Sequence, residues 1–324
     1  MSAPLIDFHS HYTGTARRAV APRTSDTESL RVWARFTEQM SDLRGLLSTQ
    51  DRLGIDRRVL GAPPALITPH GDRLGAEELL AFNEGVAEAV RSRPDRLSGL
   101  ATIDAFTGEA GAELVERCIR ELGLHGIIVD CAREGRLLDA AEARPTLEAA
   151  ARLGVPLLMH PVSVPQLAEL LPGLGDWTET LARGASTAAS LIALMRSGTL
   201  DEVPGLQIVM PWMGGAGLVL AGLHEGVEQL RAGAPAERRW HVHVDTMGLE
   251  PHAIRYAVDL LDADHVVMGS DWPIMSGSAS RTRVDEALRD AGIDSVTADR
   301  IRSGNALRLL GHEHHSPATS TTTH

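Results

Sequence analysis

The chain has 324 residues, 43% of them hydrophobic, and a formal charge of −12; this ordinary globular composition sets aside disordered, collagen-like and membrane-spanning classes. The acidic balance argues against nucleic-acid and anionic-membrane partners, which demand a strong basic patch. All 31 basic residues are arginine and none is lysine, which excludes Schiff bases, pyridoxal phosphate attachment, P-loop phosphate binding and a carbamylated-lysine metal bridge.

Short apolar runs alternate with helical-period segments almost from end to end. Strands are predicted at 5–9, 58–62, 97–104, 126–130, 155–160, 207–211, 240–245 and 265–269, and helices at 76–93, 110–122, 141–153, 178–197, 216–232, 251–261 and 280–291. Strand–helix alternation with buried β-branched runs is the pattern of parallel βαβ units. Eight strands in one series point to a closed (β/α)8 TIM barrel. A helix-ending glycine precedes three of the strands, in RLGIDRRVL, ELGLHGIIVD and RLGVPLLMH. No linker-like shift divides the body, so residues 1–311 read as one barrel domain with a long insertion at 13–41. The Ser/Thr/His-rich tail at 312–324 is expected to be disordered, and its His314 and His315 could pick up metal only adventitiously. The only cysteines, Cys118 and Cys131, are too few for a disulfide framework. The opening MSAPLIDFHS carries no signal-peptide pattern, so a cytoplasmic location is expected.

The chemistry-bearing residues sit at strand ends. In IDFHSHY, period-2 alternation places Asp7, His9 and His11 on one face, with Ile6, Phe8 and Ser10 on the other. Two histidines at i and i+2 fit either one metal ion or a hydrogen-bonded pair. His160 ends VPLLMHP and Asp271 follows VVMGS; both are polar groups just beyond a buried strand, which in a barrel is the rim where active sites assemble. Three imidazoles and a carboxylate form a complete donor set for a divalent metal, Zn2+ first and Mn2+ as the alternative.

These segments in order resemble the amidohydrolase superfamily. The resemblance is strongest to the branch containing aminocarboxymuconate-semialdehyde decarboxylase and related aromatic-acid decarboxylases. It is carried by D-x-H-x-H at 7–11, DRLGIDRRVL at 51–60, RPDRLSGLATID at 93–104, ELGLHGIIV at 121–129, PLLMHP at 156–161, LMRSGTLDEVPGLQIV at 194–209, GSDWP at 269–273 and the terminal GNALRLL. It implies a mononuclear site with His9, His11, His160 and Asp271 as metal ligands, and the absence of lysine agrees with such a branch. It further implies an acid/base histidine after the sixth strand, where this chain has Trp212 in MPWMGGAG. Indole donates a hydrogen bond but accepts no proton. Trp212 is expected to form an apolar wall that excludes water or stacks on a planar substrate.

His243 in WHVHVDT, on one strand face with His241 and Asp245, is either a substitute acid/base or a hydrogen-bonded barrel histidine. Asp130 and Cys131 follow the fourth strand and could face the site. Arg133 and Arg136 on the next loop, with Arg44, Arg238 and Arg239, are candidate clamps for a substrate acid. The resemblance implies that a neighbouring subunit lends an arginine, hence a homodimer. The leading expectation is non-oxidative decarboxylation of a small unsaturated or aromatic carboxylic acid, with Asp271 and His243 moving protons. A hydrolase or hydratase using metal-activated water keeps the same residues; a binding protein that has lost its chemistry is the third reading, suggested by Trp212.

Overall fold

The computed structural model describes residues 3–312, apart from 16–18, 21–26, 69–71, 171–172, 176, 224–226 and 276–278. The expected tail lies, beyond His312, outside the described residues, as does part of the expected insertion. Eight parallel strands form one sheet: β1 Ile6–His11, β2 Arg57–Gly61, β3 Leu97–Thr102, β4 Gly126–Asp130, β5 Pro156–His160, β6 Gln207–Met210, β7 His241–Asp245 and β8 Val266–Val267. Neighbours in space are neighbours in sequence throughout. The ring closes where Phe8 N donates to Met268 O (2.9 Å) and His11 N to Trp272 O (2.7 Å), beside a parallel Ser10–Trp272 bridge. This is the (β/α)8 barrel.

Local chemistry sets the helix ends. Gly54 and Gly154, with φ of 69° and 65°, cap the helices Leu43–Leu53 and Arg144–Leu153 in the left-handed region that glycine enters without a Cβ penalty. Their neighbours Ile55 N and Val155 N bond back to Gln50 O and Ala150 O and steer the chain into the next strand. The described part of the 13–41 insertion contains the helix Thr27–Ser41. The long helix expected at 216–232 is instead a short helix, Gly217–Ala221, and a 3-10 turn, Val227–Gln229; Gly217 and Gly222 weaken helix propensity there. The last strand is shorter than expected, at Val266–Val267. Among the described residues no helix is long and apolar enough to cross a membrane.

Two apolar layers result. The larger packs the outward strand faces under the helices. The smaller fills the barrel lumen with Ile6 and Phe8 of β1, Val59, Leu100, Ile128, Leu158, Val209 and Val267, one from each of six further strands, over Ala306 and Leu309 of the C-terminal helix and its cap Leu310. β7 gives this layer no apolar side chain. In register with Val209 it places His243.

Candidate metal centre

The donors reach one point because β1 is irregular. Its register to β2 runs Asp7↔Arg58 and then Ser10↔Leu60, so three steps on β1 match two on β2. Such a bulge breaks strict alternation. Ile6 and Phe8 therefore join the lumen, and so do His9 and His11, whereas Asp7 turns to the opposite face. There, fully buried, it pairs with Arg58 (2.5 Å) and accepts from Ser10 Oγ (2.8 Å) and Ser270 Oγ (2.6 Å). This corrects the expectation that Asp7, His9 and His11 share a face. Asp7 instead ties the start of β1 to β2 and to the loop after β8. Burial pulls the Arg58 guanidinium below its ordinary range, with Asp7 opposing.

His9, His11, His160 and Asp271 each offer a ligand atom, all lying within 4.8 Å of one another and all buried. His11 Nε2 stands 2.9 Å and His9 Nε2 3.5 Å from Asp271 Oδ1. The three rings meet edge to face, with centroids 5.0–5.7 Å apart. Asp271 itself has φ of 57°, a strained backbone for a non-glycine residue that aims its carboxylate into the cluster.

Outer partners fix the tautomers. His9 Nδ1 donates to Asp245 Oδ2 (2.8 Å) and His11 Nδ1 lies 3.2 Å from Gly61 O, which leaves both Nε2 lone pairs facing inward. Asp245 Oδ1 accepts from Trp212 N (2.7 Å) and Met247 N (3.1 Å). A Cβ on Gly269 would sit 2.7 Å from Asp245 Cβ, so only glycine lets this carboxylate tuck under β8. Among the described residues, neither ring nitrogen of His160 nor His9 Nε2 finds a hydrogen-bond partner of ordinary geometry although all are buried. Orphaned imidazole nitrogens are costly without a cation to satisfy them, so the donor set fits a divalent ion.

The charges agree. Burial holds His160 well below its ordinary pKa, helped by His11 and Arg183. Burial alone would raise Asp271, but the His11 bond and the nearby His9 and His11 hold it below the usual carboxylate range. His9 is likewise depressed by burial yet raised overall by Asp245 and Asp271. Asp130, in register with His160 on the next strand, accepts from Ala65 N (3.0 Å), and burial pushes its carboxyl up to about 7.

Other expected site residues lie elsewhere. His243 stacks on His265 (centroids 4.6 Å, 16°) two residues below Asp245, with neither ring nitrogen hydrogen-bonded among the described residues, and burial and His265 hold it well below its ordinary pKa. The structure does not bring it to the quartet. Arg239 pairs with Asp262 (2.7 Å) and bonds Leu261 O. Arg238 and Arg239 precede β7, so in a parallel barrel they stand at the end opposite His9, His11, His160 and Asp271, which corrects their assignment as clamps. Arg44 is exposed on the helix Leu43–Leu53. Arg133 is engaged by Asp104 (3.4 Å) and Asp72 O (2.8 Å), and Arg136 by Glu134 (2.8 Å) and Glu142 (3.0 Å). The Trp212 indole lies against Gly184 of the helix Trp177–Arg196 and lines an apolar groove of about 980 Å³ that excludes the metal quartet. Cys131 Sγ is buried against Ser186 Oγ (3.3 Å).

Sequence reasoning missed Asp245 as the partner of His9. That contact joins β1 to β7 across the barrel, and no local pattern in the sequence marks it.

Fold and site together define a (β/α)8 enzyme scaffold with one divalent-metal centre at the C-terminal rim. The amidohydrolase family profile matches residues 6–312, and the chain belongs to that family. It is 23% identical over 270 residues to 2-amino-3-carboxymuconate-6-semialdehyde decarboxylase of Dictyostelium discoideum, covering 81% of this chain and 74% of the relative. It is 28% identical over 302 residues to gamma-resorcylate decarboxylase of Rhizobium sp. (strain MTP-10005), covering 86% and 90%. Among solved structures it is similar to a dihydroxybenzoic acid decarboxylase from Polaromonas sp. JS666 with bound manganese and 2-nitroresorcinol (TM-score 0.74, 22% identity, 96% and 97% covered).

Proposed function

We propose that this protein is a metal-dependent, non-oxidative decarboxylase of a small unsaturated or aromatic carboxylic acid, with His9, His11, His160 and Asp271 holding one ion. The observation that carries the reading is the quartet itself: four buried donors within 4.8 Å at the barrel rim. The named relatives, decarboxylases of related acids, support the reaction class.

A divalent ion there supplies Lewis acidity for the substrate carboxylate or an adjacent oxygen. Asp271, held anionic at rest, takes up a proton from water at its carboxylate and delivers it to the carbon that loses CO2. The carboxylate leaves as CO2, its bonding pair stays on carbon, and that pair captures the proton. Asp245 keeps the His9 ring oriented. Trp212 contributes its backbone N–H to Asp245 rather than a proton to substrate. Zn2+ is our assignment, with Mn2+ the alternative. The reading includes a cytoplasmic homodimer; the exposed apolar Trp177 and Leu220 along the groove support the dimer and the two free cysteines the compartment.

The test is metal-reconstituted protein assayed on hydroxybenzoates, muconates and lactones for CO2 release and for incorporation of labelled water oxygen. We expect CO2 without oxygen incorporation. Asp271→Asn should cut turnover at least about 100-fold with metal content checked in parallel. Oxygen incorporation without CO2 would instead establish a hydrolase or hydratase.

A further inference from the structure

The loop after β6 and the helix Trp177–Arg196 approach each other backbone to backbone. A Cβ on Gly215 would lie 2.5 Å from Gly184 O, so only glycine lets the loop seat there. The helix is itself fixed to the rim, because Ser186 Oγ donates to Val162 O (2.7 Å), two residues past His160. Trp212 opens the loop with a φ of 58°, a left-handed conformation that a bulky residue adopts only under strain. Such strain persists where the surroundings over-determine it, and Trp212 is held at both of its ends. Its half-buried indole packs over Gly184, where a Cβ would lie 3.7 Å from Cζ3. Its backbone N–H donates to Asp245 Oδ1 (2.7 Å).

From that N–H a chain of bonds runs to the metal donors. Asp245 Oδ2 receives His9 Nδ1 (2.8 Å), and His9 Nε2 stands 3.5 Å from Asp271 Oδ1 inside the quartet. The other donor to Asp245 Oδ1 is Met247 N, at a longer 3.1 Å. A loop that drifts off the helix therefore leaves Oδ1 with the weaker bond, and the carboxylate is free to turn and release the His9 ring. Partners of this kind set the tautomer and direction of a ligating histidine.

We propose that Trp212 is a positioning residue for the metal centre: its indole, anchored on Gly184, holds the loop so that the Trp212 N–H orients Asp245 and, through it, His9. The place that by resemblance carries an acid/base histidine thus carries an anchor in this chain, with its side chain turned away from the quartet. The proposal rests on the metal-centre part of the reading above and not on the reaction assigned to it.

The experiment measures Zn2+ and Mn2+ affinity by competition with a chromophoric chelator. Wild type is compared with Trp212→Phe, Trp212→Leu and Trp212→Ala, each also in an Asp245→Asn background, with thermal midpoints of the metal-free proteins followed alongside. Trp212→Ala should weaken binding about 10- to 100-fold, and Trp212→Phe, which keeps a ring over Gly184, by less than about threefold. In the Asp245→Asn background, Trp212→Ala should cost less than about threefold further, because two changes acting through one carboxylate do not add. A merely structural role would lower the metal-free midpoint and leave the metal affinity of the folded protein as in wild type. That result, an equal loss in both backgrounds, or an equal loss in Trp212→Phe and Trp212→Ala would overturn the proposal. If Trp212→Ala does not fold, Trp212→Leu is judged by the same criteria. Wild type that binds neither ion would overturn the proposal and the metal centre together. The expected affinities with no CO2 released from any acid would leave it standing and overturn the decarboxylase reading alone.

Discussion

His243 shows how the same residue type acquires opposite roles on one barrel. Among the described residues, His160 has two unpartnered nitrogens but shares its point in space with three other donors. His243 also has two unpartnered nitrogens, yet its neighbours are His265, Val209 in register and the cations Arg308 and Arg239, so it is held neutral in the apolar lumen. An unsatisfied buried polar group costs roughly 1–3 kcal/mol. Replacing it with a leucine that continues the lumen layer should therefore be neutral or stabilising. We expect His243→Leu to raise the denaturation free energy by about 1 kcal/mol and to keep turnover within twofold, measured by chemical denaturation and CO2 release. A large loss of turnover with metal still bound would restore His243 as the acid/base partner.

At the level of elements, the bulge in β1 and the last turn of the chain both depend on contacts between distant segments. After the helix Asn305–Leu309, His312 N bonds Leu307 O, and its ring meets His125 with centroids 4.7 Å apart, beside Ser98 and Gly99 at the start of β3. Burial, with His312 and Arg57 nearby, lowers the His125 pKa to about 4. Because the folded value lies below the unfolded one, near 6.5, the unfolded chain binds the extra proton. This contribution is full above pH 6.5 and is lost as pH falls toward 4. Discounted for partial exposure, the loss is roughly 2 kcal/mol. Wild type should lose that much more stability than His125→Gln between pH 7 and 4 in parallel urea titrations, and superimposable pH profiles would refute the assignment.

On the scale of the whole molecule, the four donors come from β1, from the end of β5 and from the segment after β8. An ion bound there ties the closing seam of the barrel to its far side and binds only the folded chain. At a free concentration 100 times its Kd it adds about 2.7 kcal/mol. Chelation should lower the thermal midpoint by about 5 °C, and either Zn2+ or Mn2+ should restore it. Identical scanning-calorimetry midpoints for chelated and reloaded protein would show that the quartet holds no ion.

The sequence by itself determined the barrel and the strand-end positions of His9, His11, His160 and Asp271, which the fold brings together, because strand alternation, glycine helix stops and the polar residue after each apolar run are local patterns. The tertiary structure decided the rest. A one-residue bulge, visible only against β2, sends Asp7 away from His9. Strand direction in the closed ring puts Arg239 at the wrong end. The path of one helix over the rim sets Trp212 against Gly184. Each of these depends on which segment lies beside another, and that information is not local in the chain.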